Sequence, residues 1–375
     1  MTTISQATAA SAPRYANGIG GLRLLLACTV VYTHAYMLGG FTGEVLHRWS
    51  DHRLSLGTVA VQCFFVLSGW LLATSWRRKP QAGRFLWHRL LRLGPAMWTC
   101  LIVTAFVFTP ILWLHAPTGG TSFFALEPSA FEYVWKNLWL PRSQISVGPY
   151  PTLTPWAPDW NASLWTIFYE GACYLMLLGA GLLGLLGRGR ILVTVAVAGV
   201  VALLALRTAL PPATLPRLLN ELIDTDGKVL TWFFFAGAAW ATWPGVAANV
   251  LSRGWVAALA LAALVAAWHT VHHVWLSPLL LPLPVLWFAY HDPLGDLERR
   301  LGGDYSYGIY LYGYPVQQLL SHFQVPQLGF GVYLFAGLVV ALGCAILSWH
   351  AVEKHALALK SFTFFKRPVP APALV

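Results

Sequence analysis

A histidine deep in an apolar stretch, with an arginine eleven residues before it, is the pairing in this chain best able to do chemistry. The stretch runs from Gly20 to Tyr36 and carries Arg23 and His34 among leucines, valines and alanines. A titratable group inside a bilayer is costly and points to function. Eleven residues at about 100° each return Arg23 and His34 to nearly the same helix face, about 16 Å apart along the axis. One end of that line offers an anion-binding group, the other a base. Glu170 is the only acidic residue well inside another apolar stretch, Ser163 to Tyr174. Counted from the nearer ends of their spans, Glu170 lies about 12 Å deep and His34 about 9 Å deep. The two are therefore expected at similar depth, where a carboxylate could orient an imidazole. A structural hydrogen bond within the membrane is the plainer reading.

Three further groups have residue types that suit chemistry. Arg89 and Arg92 are three apart and would share a face if this stretch is a short interfacial helix. Paired guanidiniums match phosphate oxygens in geometry, so they suit a phosphorylated ligand or the anionic headgroups of lipid. Ser68 precedes Gly69 in a span. Small residues there serve close helix packing, and no base for a serine nucleophile is visible nearby in sequence. His269, His272 and His273 have metal-like spacing, but interfacial histidines are commoner, and no metal is expected. Cys28, Cys63, Cys100, Cys173 and Cys344 lie in apolar runs without a CxxC pair and read as small core residues.

The elements that must position these groups are transmembrane helices. Of 375 residues, 57% are hydrophobic and 10% charged, against about 25% charged in soluble domains. The chain is expected to be an all-α, polytopic membrane protein of about ten helices: roughly 20–40, 57–75, 94–115, 162–186, 190–210, 228–243, 254–270, 274–290, 305–322 and 328–350. Many of the 19 tryptophans flank these runs, as an aromatic belt does. The link 76–93 and the tail are rich in Arg and Lys, so the positive-inside rule places them and both termini in the cytoplasm. The net charge of +10 is put down to that topology, and nucleic-acid binding is excluded for want of a soluble basic domain. The expected organisation is a cytoplasmic tail over 1–18, a membrane domain over 19–350 and a cytoplasmic tail over 351–375, with no cleavable signal peptide. The stretch 116–160, rich in Pro, Trp and Tyr, is an outer loop too long for a mere connector. Its aromatic faces suit a sugar, or equally a loop packed on the membrane surface.

Together these segments resemble the acyltransferase-3 family of integral membrane acyltransferases, from about residue 18 to 350. Arg23 and His34 match its Arg-x10-His pattern. Phe64-Phe65-Val66-Leu67-Ser68-Gly69 is similar to its second span, and Arg89-Leu90-Leu91-Arg92 to its Arg-x-x-Arg. Ser163-Leu164-Trp165 through Glu170 to Tyr174, and Asp304-Tyr305-Ser306-Tyr307 onward, are similar to two later spans. Gln62 stands where the family often has an acid, and Gly313 where it usually has a histidine. That departure leaves His34 the stronger candidate base.

The resemblance implies an O-acyltransferase moving an acyl group, foremost acetyl, from cytoplasmic acyl-CoA to a hydroxyl of an extracytoplasmic or lipid-linked carbohydrate. It implies that Arg23, Arg89 and Arg92 bind the donor and that His34 and Glu170 act at the acceptor, in the inner membrane. A transporter of a small anion or sugar would use the same intramembrane groups, but no inverted repeat is visible. A third reading is an inactive relative serving a polysaccharide export complex.

Overall fold

The computed structural model describes residues 19–115, 122–139, 142–152, 154–187, 225–270, 273–291, 293–294 and 297–361. The helices used below are α1 (Ile19–Leu38), α2 (Leu56–Arg78), α3 (Ala82–Val103), α4 (Ala130–Asn137), α5 (Leu164–Leu182), α6 (Thr225–Thr242), α7 (Pro244–Leu251), α8 (Gly254–Trp268), α9 (Ser306–His322) and α10 (Phe330–Ser348). Among the described residues there is no strand, only one isolated bridge between Val147 and Tyr150.

Five helical runs are long and apolar enough to cross a membrane: Ile19–Leu38, Leu56–Arg78, Ala82–His115, Leu164–Leu182 and Phe330–Ser361. The pair α7 and α8 makes a sixth if counted as one span bent by 83°. Ten spans were expected. The expected spans 228–243 and 274–290 appear as shorter apolar helices, Leu230–Thr242 and Leu276–His291. The one at 305–322 is α9, 17 residues long. The one at 190–210 lies outside the described residues, as do 1–18 and 362–375 of the expected tails. The last helical run continues through 351–361 by a π turn at Trp349–Glu353.

Helix ends follow local chemistry. Ser55 caps α2 by accepting from the Thr58 amide at 3.1 Å. Ser129 and Glu132 form a capping box at α4. α3 continues through a π turn at Thr104–Phe108 into Thr109–His115, and Thr109 Oγ1 donates to the Thr104 carbonyl at 2.9 Å.

Three contacts fix the bundle around α1. α2 runs antiparallel to it, with the Gly57 amide on Thr33 Oγ1 at 2.8 Å. α9 runs parallel to it: Gln317 Nε2 donates to the Val31 carbonyl at 3.0 Å and Ser321 Oγ to that of Leu38 at 2.9 Å. α2 and α6 touch backbone to backbone, since a Cβ on Gly69 would fall 1.8 Å from the Phe234 oxygen and one on Gly237 2.0 Å from that of Val66. Small residues let helices approach so closely where apolar burial gives no drive against lipid. Gly69 thus has the packing role expected of it. α4 buries Ala130, Tyr133 and Asn137, and leaves Phe131 and Trp135 63% and 65% exposed.

Candidate active site

The register of these helices sets two levels. At one end of α1 the Asp304 carboxylate, just before α9, accepts Arg23 Nη1 at 2.9 Å and Arg92 Nη2 at 2.7 Å on the same oxygen. Its other oxygen accepts from Ser306 Oγ at 2.5 Å. The Arg92 guanidinium also sits 5.5 Å over the Tyr307 ring, and the Tyr307 hydroxyl donates to the Leu93 carbonyl at 3.1 Å. Arg89, one turn before Arg92, lies 5.9 Å from the rings of Phe85 and Tyr174, and its Nε is buried without a partner.

These groups wall a cavity of about 340 Å³. Arg23, Arg89, Arg92 and Lys360 give it four cationic groups, against the carboxyls of Asp304 and Glu170. The α2 wall is apolar except for Ser68. Glu170 accepts from the Tyr174 hydroxyl and, at 3.5 Å, from Ser68 Oγ. The cavity thus joins Arg23, Arg89, Arg92 and Glu170 from three separate sequence segments. A site with fixed cations, an apolar wall and hydroxyl groups suits a ligand with phosphates at one end and a flexible, partly apolar arm.

His34 is not in that wall. It stands at the second level, where its ring meets Tyr314 edge-on with centroids 5.1 Å apart. Its Nδ1 is buried with no partner. Eleven residues of α2 separate Ser68 from Gly57, which pairs with Thr33 beside His34. That places Ser68 and its partner Glu170 about 16 Å along the bundle from His34, near the level of Arg23. The sequence expectation of equal depth is therefore corrected: Glu170 pairs with Ser68 and Tyr174 at the Arg23 level. Depth counted from span ends misled because α5 starts closer to the bundle centre than α1 ends. Between the levels stand Tyr310 and Thr166, whose hydroxyls contact each other while Tyr310 also donates to the Ser163 carbonyl at 3.3 Å. Both line the cavity.

Sequence reasoning passed over several of these groups. Asp304 stands at the start of a span close to basic residues, where an acidic side chain gives no sign of its partners. Ser68 lacked a visible base, and the structure places Glu170 against it. Lys360 in sequence is one of several basic residues of the tail, yet the helical run beyond α10 carries it to the cavity. Of the three clustered histidines, two are described. His269 meets Trp49 edge-on with ring centroids 3.8 Å apart, His273 Nδ1 meets the Thr270 carbonyl at 2.9 Å, and His272 lies outside the described residues. Among the described residues no three His, Cys, Asp or Glu side chains form a metal-binding group, and the five cysteines are unpaired.

Beyond His34 the segments 142–152 and 154–161 fold over the bundle. Arg142 and Asp159 form an ion pair at 2.7 Å. Burial still pushes the Asp159 carboxyl above its ordinary range, and the guanidinium opposes that shift. Gln318 of α9 pins the segment by donating to the carbonyls of Trp156 and Asp159, at 3.1 and 2.6 Å.

A family model described as an acyltransferase domain matches residues 17–350. The chain is 27% identical over 357 residues to an O-acetyl transferase of Shigella phage Sf6, covering 90% of this chain and 95% of that protein. It is 26% identical over 377 residues to nodulation protein 10 of Rhizobium leguminosarum bv. viciae, covering 94% and 96%. A match to acyltransferase MdmB of Streptomyces mycarofaciens, 30% identical over 158 residues, covers 41% of this chain and 36% of that one. No solved structure matches.

Proposed function

The chain belongs to the acyltransferase-3 family, and from that premise we propose that it is a membrane O-acetyltransferase that takes its acyl group from acetyl-CoA and esterifies a carbohydrate hydroxyl. The observation that carries this reading is the cationic cavity one level below an intramembrane histidine. Arg89, Arg92 and Lys360 would hold the phosphates of CoA, with Arg23 above them. The pantetheine arm would run past Ser68 and Glu170, whose polar atoms suit its amides, and deliver the thioester toward His34. The separation of about 16 Å along α1 is the reach of such an arm.

In the chemical step the acceptor oxygen attacks the thioester carbonyl. Its proton passes to the His34 imidazole, the carbon–sulfur bond breaks, and CoA leaves as the thiolate, which takes that proton from the His34 imidazolium and restores the neutral base. A neutral imidazole is the form this general base requires. The basic links support a cytoplasmic donor side with the His34 end toward the outside, in keeping with an extracytoplasmic or lipid-linked acceptor. The full-length relative named as an O-acetyl transferase supports the acetyl group.

The test is His34→Ala in the purified full-length protein. Transfer from acetyl-CoA is expected to be lost while chromatographic behaviour, melting temperature and acetyl-CoA affinity hold. Transfer within a few-fold of the unaltered protein would refute the base assignment.

A further inference from the structure

We propose that Tyr314 and Gln318 form the hydroxyl-binding site for the carbohydrate acceptor beside His34. The inference rests on the reading of His34 as the base and adds the groups that would hold the acceptor there.

α9 presents Tyr307, Tyr310, Tyr314 and Gln318 at spacings of three, four and four residues, which is one helix face. The first two line the cationic cavity. The third meets His34 edge-on, with ring planes at 79°. The fourth holds the segment that covers this end of the bundle. The stripe therefore runs from the donor cavity past the histidine to the covering segment.

Its upper half contains unmatched polar atoms. Tyr314 and Gln318 are both 0% exposed. The Tyr314 hydroxyl, the Gln318 Oε1 and the His34 Nδ1 are all buried without a hydrogen-bond partner. Buried polar groups are almost always paired, so three orphans grouped within about one helical turn call for a partner that carries hydroxyls. Packing does not account for them, since a phenyl ring would fill the Tyr314 position equally well. Tyr307 and Tyr310 on the same face both have partners for their hydroxyls.

A sugar supplies the missing complement. One hydroxyl directs its proton to the His34 imidazole. Its neighbour accepts from the Tyr314 phenol. A third donates to Gln318 Oε1, one turn and about 6 Å farther along α9, a span comparable to a six-membered sugar ring. A monohydric acceptor would leave two of the three atoms unmatched, so the site favours a polyol.

The experiment uses the strain that carries this chain, with the gene deleted and then complemented by the unaltered protein, H34A, Y314F or Q318L. Acyl esters on extracted cell-surface carbohydrate are counted by mass spectrometry. Acetyl-CoA affinity is measured on each purified full-length protein. Y314F is expected to lower ester content roughly ten-fold or more, as loss of a transition-state hydrogen bond does, with the acetyl-CoA dissociation constant unchanged. Q318L is expected to follow in the same direction. Ester content in Y314F equal to that of the unaltered protein overturns the proposal. So does a rise in the acetyl-CoA dissociation constant in proportion to the lost ester, because that assigns Tyr314 to donor binding or to the fold. If deletion or H34A leaves the esters unchanged, the base reading itself fails and this one falls with it.

Discussion

Asp304 holds Arg23 and Arg92 on one carboxylate oxygen, and all three side chains are less than a quarter exposed. Removing one partner of a buried ion pair costs about 3–5 kcal/mol because the charge left behind is uncompensated. Asp304→Asn is therefore expected to lower the melting temperature. Added acetyl-CoA or ADP should restore more of it in the variant than in the unaltered protein, since phosphates replace the lost anion; equal shifts in both would count against a phosphate site. Arg89 differs, because its Nε has no protein partner. Arg89→Ala is expected to leave stability nearly unchanged and weaken acetyl-CoA affinity by about ten-fold or more, the usual scale for a charge-assisted hydrogen bond. Titration calorimetry on the two proteins checks this, and an unchanged affinity would contradict the assignment. At this scale the sequence was most readable where a charge stands in apolar surroundings, as at Arg23, His34 and Glu170. It was silent on partners, because Glu170 and Ser68 are 102 residues apart in the chain and meet only through the crossing of α2 and α5.

The crossing of α2 on α6 depends on two glycines whose missing side chains admit the other helix's backbone. A Cβ at either position would lie 2.0 Å or less from a carbonyl oxygen, and backbone cannot step aside as a side chain can. Gly69→Ala and Gly237→Ala are expected to force the helices apart and sharply reduce the yield of folded protein. Gly179→Ala in α5, where nothing lies within 4 Å, should be neutral or gain up to about 1 kcal/mol from helix propensity. Size-exclusion profiles and melting curves compare the three, and equal behaviour would refute the close crossing. The small pair Ser68-Gly69 signalled such packing in sequence, although the partner helix could not be named. The number of spans was less readable. Apolar runs of similar composition became full-length helices at α1 and α5, a 17-residue helix at α9 and a bent pair at α7 and α8. Hydropathy records how greasy a segment is, and says little about whether its neighbours let it run straight.

For the whole molecule, the positive-inside rule makes the side of each loop a testable matter. Lys136, on the exposed face of α4, and Lys354, exposed beyond α10, are expected on opposite sides. In a cysteine-free background, Lys136→Cys should react with an impermeant maleimide on intact spheroplasts. Lys354→Cys should react only after the membrane is opened. The reverse pattern would invert the proposed route from donor to acceptor. The overall class, helical and membrane-embedded, followed from composition alone, since so few charges cannot clothe a soluble surface of this size. The two-level site did not, because it depends on the register of α1, α2, α5 and α9, which hydrogen bonds such as Gly57 to Thr33 set only in the folded state.

The contact between the hydroxyls of Tyr310 and Thr166 has a consequence of another kind. An energised membrane drives each elementary charge with about 2.3 kcal/mol per 100 mV. A chain that hands a neutral acyl group from one face to the other must not also conduct protons or sodium. Both residues line the cavity, and His34 does not. A closed contact between the two hydroxyls would be a barrier to ions between the Arg23 level and the His34 level, one that has to yield only when the acyl arm passes.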